Sequence, residues 1–137
     1  MSGSGHNRLI AKELIIMTDN DSVKSLIDAV RTFCEERDWD QFHTPKELAI
    51  GISTEANELL EIFRFMSPAQ QAELLANAKT REHIEDELAD TLFFVLRFAQ
   101  MNGIDVSQAL ERKIAKNARK YPADACRGDN RKYNGRT

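Results

Sequence analysis

The strongest constraint in this sequence is an apolar period of three to four residues that recurs along most of its length. From Val23 the apolar positions run Leu26, Ile27, Val30, Phe33 and Cys34, the i, i+3, i+4, i+7 spacing of one helix face. A cap among Asp19 to Ser22 should open this first helix, which should fade near Asp38. Thr44-Pro45-Lys46-Glu47 is the next start signal. Thr44 can cap, Pro45 suits the first helical position, and Glu47 stands where a capping-box acid belongs. The spacing predicts a helix from there to about Met66. Ser67-Pro68-Ala69-Gln70 repeats the signal and opens a short helix through Leu74 and Leu75. A third long helix is expected after Thr80, carrying Ile84, Leu88, Leu92, Val95 and Ala99, with Gly103 as its C-terminal cap. Asp105 then caps a fourth, through Val106, Leu110 and Ile114, which should end before Tyr121-Pro122.

No segment of useful length shows strand alternation, so the expected fold is all-α. Four long helices with short connections and one additional short helix predict a four-helix bundle. Residues 19–122 would form this single helical domain. Residues 1–18 read as a flexible N-terminal extension or tag remnant, because Met17 before Thr18-Asp19-Asn20-Asp21 resembles a native start. Residues 123–137 read as a polar, extended C-terminal tail.

An apolar fraction of 42% over 137 residues supports one core. With 30% charged residues and a formal net charge of −3, nothing points to a nucleic-acid polymer or an acidic membrane as partner. No run approaches the ~18 apolar residues of a membrane span. A signal peptide is not expected either, since Lys12 and Glu13 interrupt Leu9 to Met17. Cys34 and Cys126 lie far apart and match no metal spacing. Cys34, on an apolar face, reads as a small buried hydrophobe, and a reducing, cytoplasmic home is expected.

Certain acids stand where hydrophobes are expected. Along the second helix the stripe reads Leu48, Ile52, Glu55, Leu59, Ile62 and Met66. Glu58 lies about 60° further around the helix, so both carboxylates should face inward or along the seam. On the third helix Glu87 sits between Ile84 and Thr91 on the inner side, and Phe93 and Phe94 follow Asp90. Two such pairs on neighbouring antiparallel helices would bring four negative charges together, which is costly without compensation. Hard carboxylate oxygens suit Mg²⁺, with Mn²⁺ as a substitute, and soft-metal ligation is not supported. Glu61 could be an outer acid, a general base or a solvent-facing residue. Glu82, Glu85 and Asp86 read as first-turn acids favouring the helix N-terminus.

A phosphate ligand would need cations too. Lys113 flanks the fourth helix's stripe, Asn117 and Tyr121 continue the same side, and Lys116, Arg119 and Lys120 add charge. Any of these cations could equally complement the helix dipole. Trp39, in the charged loop Arg37-Asp38-Trp39-Asp40-Gln41, is poorly explained as core and could stack on a base. Phe42 and His43 share that loop. Phe63, Phe65, Phe94 and Tyr121 are the other aromatics that could reach a ring. His43 could contact a ligand or merely bond to the backbone before Pro45.

These residues, as an ordered set, resemble a known family. The set runs Glu36-Arg37-Asp38-Trp39-Asp40-Gln41-Phe42-His43-Thr44-Pro45, then Glu55-x-x-Glu58-Leu59-x-Glu61-x-Phe63, then Glu87-Leu88-x-Asp90, then Lys113-x-x-x-Asn117-x-x-x-Tyr121-Pro122. Over roughly residues 22–133 it resembles the MazG-like all-α nucleotide pyrophosphohydrolases, and within them the dCTP pyrophosphatase branch. The resemblance implies a helical bundle that self-associates as a homodimer or homotetramer, with Mg²⁺ held at Glu55, Glu58, Glu87 and Asp90. It implies hydrolysis of a (deoxy)nucleoside triphosphate, dCTP or a modified nucleotide among them, to the monophosphate and pyrophosphate. The substrate region maps onto Trp39, Asp40, Gln41, Phe42 and His43, and onto Lys113 and Asn117. Animal members of the branch place Trp, Tyr and His where this chain has Phe65, Phe94 and Val30, so the resemblance implies the hydrolysis and not the base.

The expected mechanism is metal-assisted attack of water on phosphorus. Lys113, Asn117 and Lys120 would orient the triphosphate, and Glu58 or Glu61 would take the proton. Two other readings compete. A carboxylate-bridged di-metal oxidoreductase would need Glu-x-x-His motifs, whereas here His83 precedes Glu87. A non-enzymatic helical interaction module would use the acids as a binding face.

Overall fold

The computed structural model describes residues 22–133; the expected extension over residues 1–18 lies outside them. The described residues are helical with no strand among them, as the period predicts. They group into two compact units, one up to Gly103 and one from Ile104 onward. The first holds α1 (Val23–Glu35), a 3-10 turn (Asp40–Phe42), α2 (Pro45–Phe63), α3 (Pro68–Ala76) and α4 (Ala78–Met101). The second holds α5 (Val106–Lys120) and α6 (Ala123–Cys126). All four expected long helices are present, with α3 as the additional short one.

Local chemistry sets the helix starts. Ser22 accepts from the Ser25 N–H, Thr44 from that of Glu47, and Asp105 from that of Gln108. Ser67 and Gln70 form a reciprocal capping box. Four boundaries differ from expectation. The first helix ends at Glu35, because the chain turns through Asp38 at φ +52° while the N–H groups of Arg37 and Trp39 both bond to the Cys34 carbonyl. The second ends at Phe63, since Arg64 turns extended and Phe65 takes φ +63°. The third long helix, α4, starts before Thr80, because the Asn77 carboxamide accepts from the N–H groups of Lys79 and Thr80. Residues 123–126, expected to be extended, form one helical turn behind Pro122.

In the first unit α4 packs against α1, α2 and α3. Cys34, Leu48, Ile84, Leu96 and Ala99 are buried, and each large aliphatic among them contributes about 2 kcal/mol by leaving water. Leu88 and Leu92, expected in the inner stripe of α4, are 56% and 46% exposed. The inward line runs through Ile84, Glu87 and Thr91, as expected, and on to Phe94. Where α2 meets α4, a Cβ on Gly51 would stand 2.5 Å from Cδ1 of Phe94. Only glycine therefore lets that ring lie against the backbone of α2.

Candidate functional site

Glu55 and Glu58 rise from α2 and Glu87 from α4, and one ligand oxygen of each lies within 4.8 Å of the others. Three-residue spacing puts the first two on one side of their helix, and the inner line of α4 supplies the third. Glu55 and Glu87 are half-buried; Glu58 is exposed. Burial pushes the Glu55 carboxyl above its usual range, and the charges of Glu58, Asp90 and Glu87 push it further. Glu87 is raised chiefly by burial and then by its interaction with Glu58, against a smaller opposing pull from His83. Its Oε2 is buried without a hydrogen-bond partner. An ionised carboxylate only accepts, so a cluster of three acids with one oxygen unpartnered is relieved either by a proton or by a cation. Three hard oxygen donors fit a divalent cation of the Mg²⁺ or Mn²⁺ kind.

Asp90 stands outside that trio, although its charge acts on both Glu55 and Glu87. Glu61 pairs with Arg64 at 2.9 Å, both side chains exposed. Glu61 also lines an open cleft of about 500 Å³ with Glu58, Ile62, His83 and Glu87. There His83 Nδ1 lies 3.6 Å from Glu87 Oε1.

A second cavity, of about 410 Å³, opens between α1 and α4. Ala29, Val30 and Phe33 line one side, Asp90, Phe93 and Phe94 the other, and Trp39 completes the wall. Phe33 meets Trp39 and Phe93 edge-on at ring distances of 5.6 and 5.9 Å, and Phe93 meets Phe94 at 5.5 Å. A space walled by rings suits a flat, aromatic guest. Asp90 is the lone carboxylate on this wall and also acts on the acidic trio, so the two features adjoin through it.

Of the five loop residues expected to bind ligand, Trp39 alone lines this cavity. Gln41 donates to the carbonyl and carboxylate of Asp38, which secures the left-handed turn there. Phe42 is exposed. Asp40 and His43 turn to Arg97: its guanidinium donates to the Asp40 carboxylate, to the Gln100 amide oxygen and, from Nε at 2.9 Å, to Nδ1 of His43. Phe94 lines the cavity, whereas Phe65 is 91% exposed beneath the Arg64 guanidinium and lines neither cavity nor cleft.

In the second unit Lys113 and Lys120 are exposed and Asn117 is half-buried. The Tyr121 N–H closes the helix on the Asn117 carbonyl at 2.8 Å. The Tyr121 ring meets Tyr133 edge-on at 6.0 Å, with the Lys120 ammonium 5.2 Å from the Tyr133 ring. Sequence reasoning passed over Arg97 and Gly51, and it read Phe33 and Phe93 as apolar positions without a place in the site. Arg97 carried a usable signal: a cation one turn beyond Phe93, on an otherwise apolar stretch.

The profile of the MazG-like family matches residues 50–135. The dCTP pyrophosphatase 1 of Rattus norvegicus is 34% identical over 101 residues, which cover 74% of this chain and 59% of that protein. Its Homo sapiens counterpart is 33% identical over the same shares. The chain thus spans less than two thirds of the length of these relatives. The crystal structure of a pyrophosphatase from Archaeoglobus fulgidus superposes with a TM-score of 0.67 at 41% identity, covering 72% of this chain and 91% of that one.

Proposed function

The chain belongs to the MazG-like family, and from that premise we propose that it hydrolyses a nucleoside triphosphate between its α and β phosphates, releasing the monophosphate and pyrophosphate. The observation that carries this reading is the convergence of Glu55, Glu58 and Glu87, with an orphaned Glu87 oxygen, near an aromatic cavity whose wall includes Asp90, a charge that acts on two of the three. Together they offer a place for a cation with its phosphates and a place for a base.

In this mechanism Glu55, Glu58 and Glu87 would hold Mg²⁺, for which Mn²⁺ would substitute, and Asp90 would add charge at the edge. When bound, the cation neutralises phosphate charge and makes water a better nucleophile at neutral pH. Glu58, the exposed member of the trio, accepts the proton of the attacking water on an oxygen the cation leaves free, with Glu61 as the outer acid. Trp39, Phe33 and Phe94 receive the base. A trio of carboxylates with no histidine among them argues against a di-metal oxidoreductase.

The relatives named above are dCTP pyrophosphatases, so dCTP is the first substrate to try, followed by base-modified nucleotides. Leu60, Leu88 and Leu92 in the first unit, and Leu110 and Ile114 in the second, are large apolar side chains left exposed. They support self-association as a homodimer or homotetramer. Two free thiols accord with a cytoplasmic home, and no described helix is long and apolar enough to cross a membrane.

The test is product analysis over the common and base-modified nucleoside triphosphates, with Mg²⁺ and with chelator. Metal-dependent pyrophosphate and monophosphate in equal amounts are expected. Orthophosphate as the first product, or no product from folded protein, would sink the assignment.

A further inference from the structure

Arg97 is fully buried. A buried guanidinium is costly unless its N–H groups are satisfied, and swapping such a charge for an apolar side chain of similar volume often leaves stability unchanged. Its presence therefore asks for a reason beyond packing. We propose that Arg97 is a positioning residue for nucleobase binding: it locks His43 as the tautomer protonated on Nε2 and ties the Asp40–His43 turn to α4, which sets Trp39 in the cavity wall.

The chemistry leaves one proton arrangement. Guanidinium is always protonated and only donates, so the His43 Nδ1 that receives the Arg97 Nε–H at 2.9 Å must carry a lone pair. A neutral imidazole accepting at Nδ1 keeps its proton on Nε2. The charged groups acting on His43 are Arg97 of α4 and Asp40 of the turn. Burial and the Arg97 charge hold its pKa below the usual range, against a weaker opposing pull from Asp40, which agrees with the neutral ring.

The same guanidinium grips both ends of the turn, at Asp40 and at His43. Within the turn, the Phe42 N–H bonds to the Trp39 carbonyl and the His43 N–H to the Asp40 carbonyl. Trp39 immediately precedes it, with its ring 6.1 Å from that of His43 and 5.6 Å from that of Phe33. Moving the turn relative to α4 therefore moves the Trp39 wall relative to Phe93 and Phe94. The nucleobase as guest rests on the function proposed above; the lock itself does not.

The chain has a single tryptophan, so its emission reports on Trp39 alone. The experiment compares wild type with Arg97→Met and Arg97→Lys in the full chain. It reads histidine tautomers by long-range ¹H–¹⁵N NMR, Trp39 emission, and KM and kcat for dCTP or the best nucleotide of the panel; His43→Gln assigns the His43 signals. Wild type should show the Nε2–H tautomer at His43. Arg97→Met should give mixed tautomers, shifted Trp39 emission and a KM raised about tenfold, with kcat changed far less. An unchanged tautomer, emission and KM in a folded Arg97→Met would overturn the proposal, as would a wild-type His43 carrying its proton on Nδ1. Should Arg97→Met not fold, Asp40→Asn and His43→Gln loosen the same grip from its partner side and must shift Trp39 emission for the proposal to stand. If wild type hydrolyses nothing, the hydrolase reading falls, while the tautomer and emission readouts, which need no turnover, still judge Arg97.

Discussion

Replacing Gly51 with alanine perturbs the aromatic cavity from outside it. The new Cβ would stand 2.5, 2.6 and 2.8 Å from Cδ1, Cε1 and Cγ of Phe94, inside ordinary carbon contact. The ring must withdraw by about 1 Å to restore that contact. With the backbone of α2 behind it, the ring can give way only toward the cavity it lines. Overpacking of this kind costs about 1–3 kcal/mol, and alanine returns roughly 1 kcal/mol by its better helix propensity. The net expectation is a loss of about 0–2 kcal/mol, a fall in melting temperature of up to about 10 °C. Nucleotide KM should rise severalfold while the Mg²⁺ requirement stays put, because the acids lie on other residues of α2 and α4. Adding Phe94→Leu should relieve the clash and recover stability, which a double-mutant cycle measures. A Gly51→Ala protein that is about 1 kcal/mol more stable, with unaltered KM, would refute the close approach of Phe94 to α2.

Other perturbations separate the remaining parts. The raised Glu55 and Glu87 carboxyls bind protons more tightly folded than unfolded. Their contribution to stability is therefore fully present below the unfolded value of 4.5 and is lost as pH rises through the raised folded values. Metal-free protein should melt lower at pH 7 than at pH 5, Mg²⁺ should stabilise more at pH 7, and Glu87→Gln should flatten both trends; a metal-free melting temperature that rises over this range and is untouched by Glu87→Gln would contradict the clustering. Glu58→Gln should lower kcat by about 100-fold or more, and Glu61→Gln by less than about fivefold; the reverse order in steady-state kinetics would exchange their roles. Leu88→Glu with Leu92→Glu, both at exposed positions, should leave the fold intact and shift light-scattering mass to a smaller assembly, whereas an unchanged oligomer would remove this face from the interface.

What the sequence made legible was local. Thr44-Pro45, Ser67-Pro68-Ala69-Gln70 and Asp105 cap their helices through atoms three residues away, so no distant contact is needed to read them. Asn77 escaped notice because Thr80, three residues on, is itself a plausible cap, and the geometry chose the carboxamide. The inner face of α4 was ambiguous for a deeper reason. From Ile84, steps through Glu87 and Thr91 and steps through Leu88 and Leu92 both satisfy helical spacing, and the packing of α2 decides between them. Hydrophobicity pointed to the leucines, and its place between Ile84 and Thr91 pointed to Glu87; the fold turns the acid inward and leaves the leucines exposed. Phe65 drew attention as an aromatic that could reach a ring, but its left-handed backbone at the end of α2 turns it outward. The reasoning that found Glu55 and Glu87, a charge in an apolar stripe, applies equally to Arg97, where it was not used.

The most direct test of the central claim is the rate of pyrophosphate release from dCTP, or the best nucleotide of the panel, across a Mg²⁺ titration of wild type and Glu87→Gln. The account predicts a saturable Mg²⁺ dependence in wild type and a requirement shifted at least about tenfold higher, or activity lost, in a folded Glu87→Gln. Pyrophosphate release that ignores Mg²⁺, or that Glu87→Gln leaves unchanged, would contradict it.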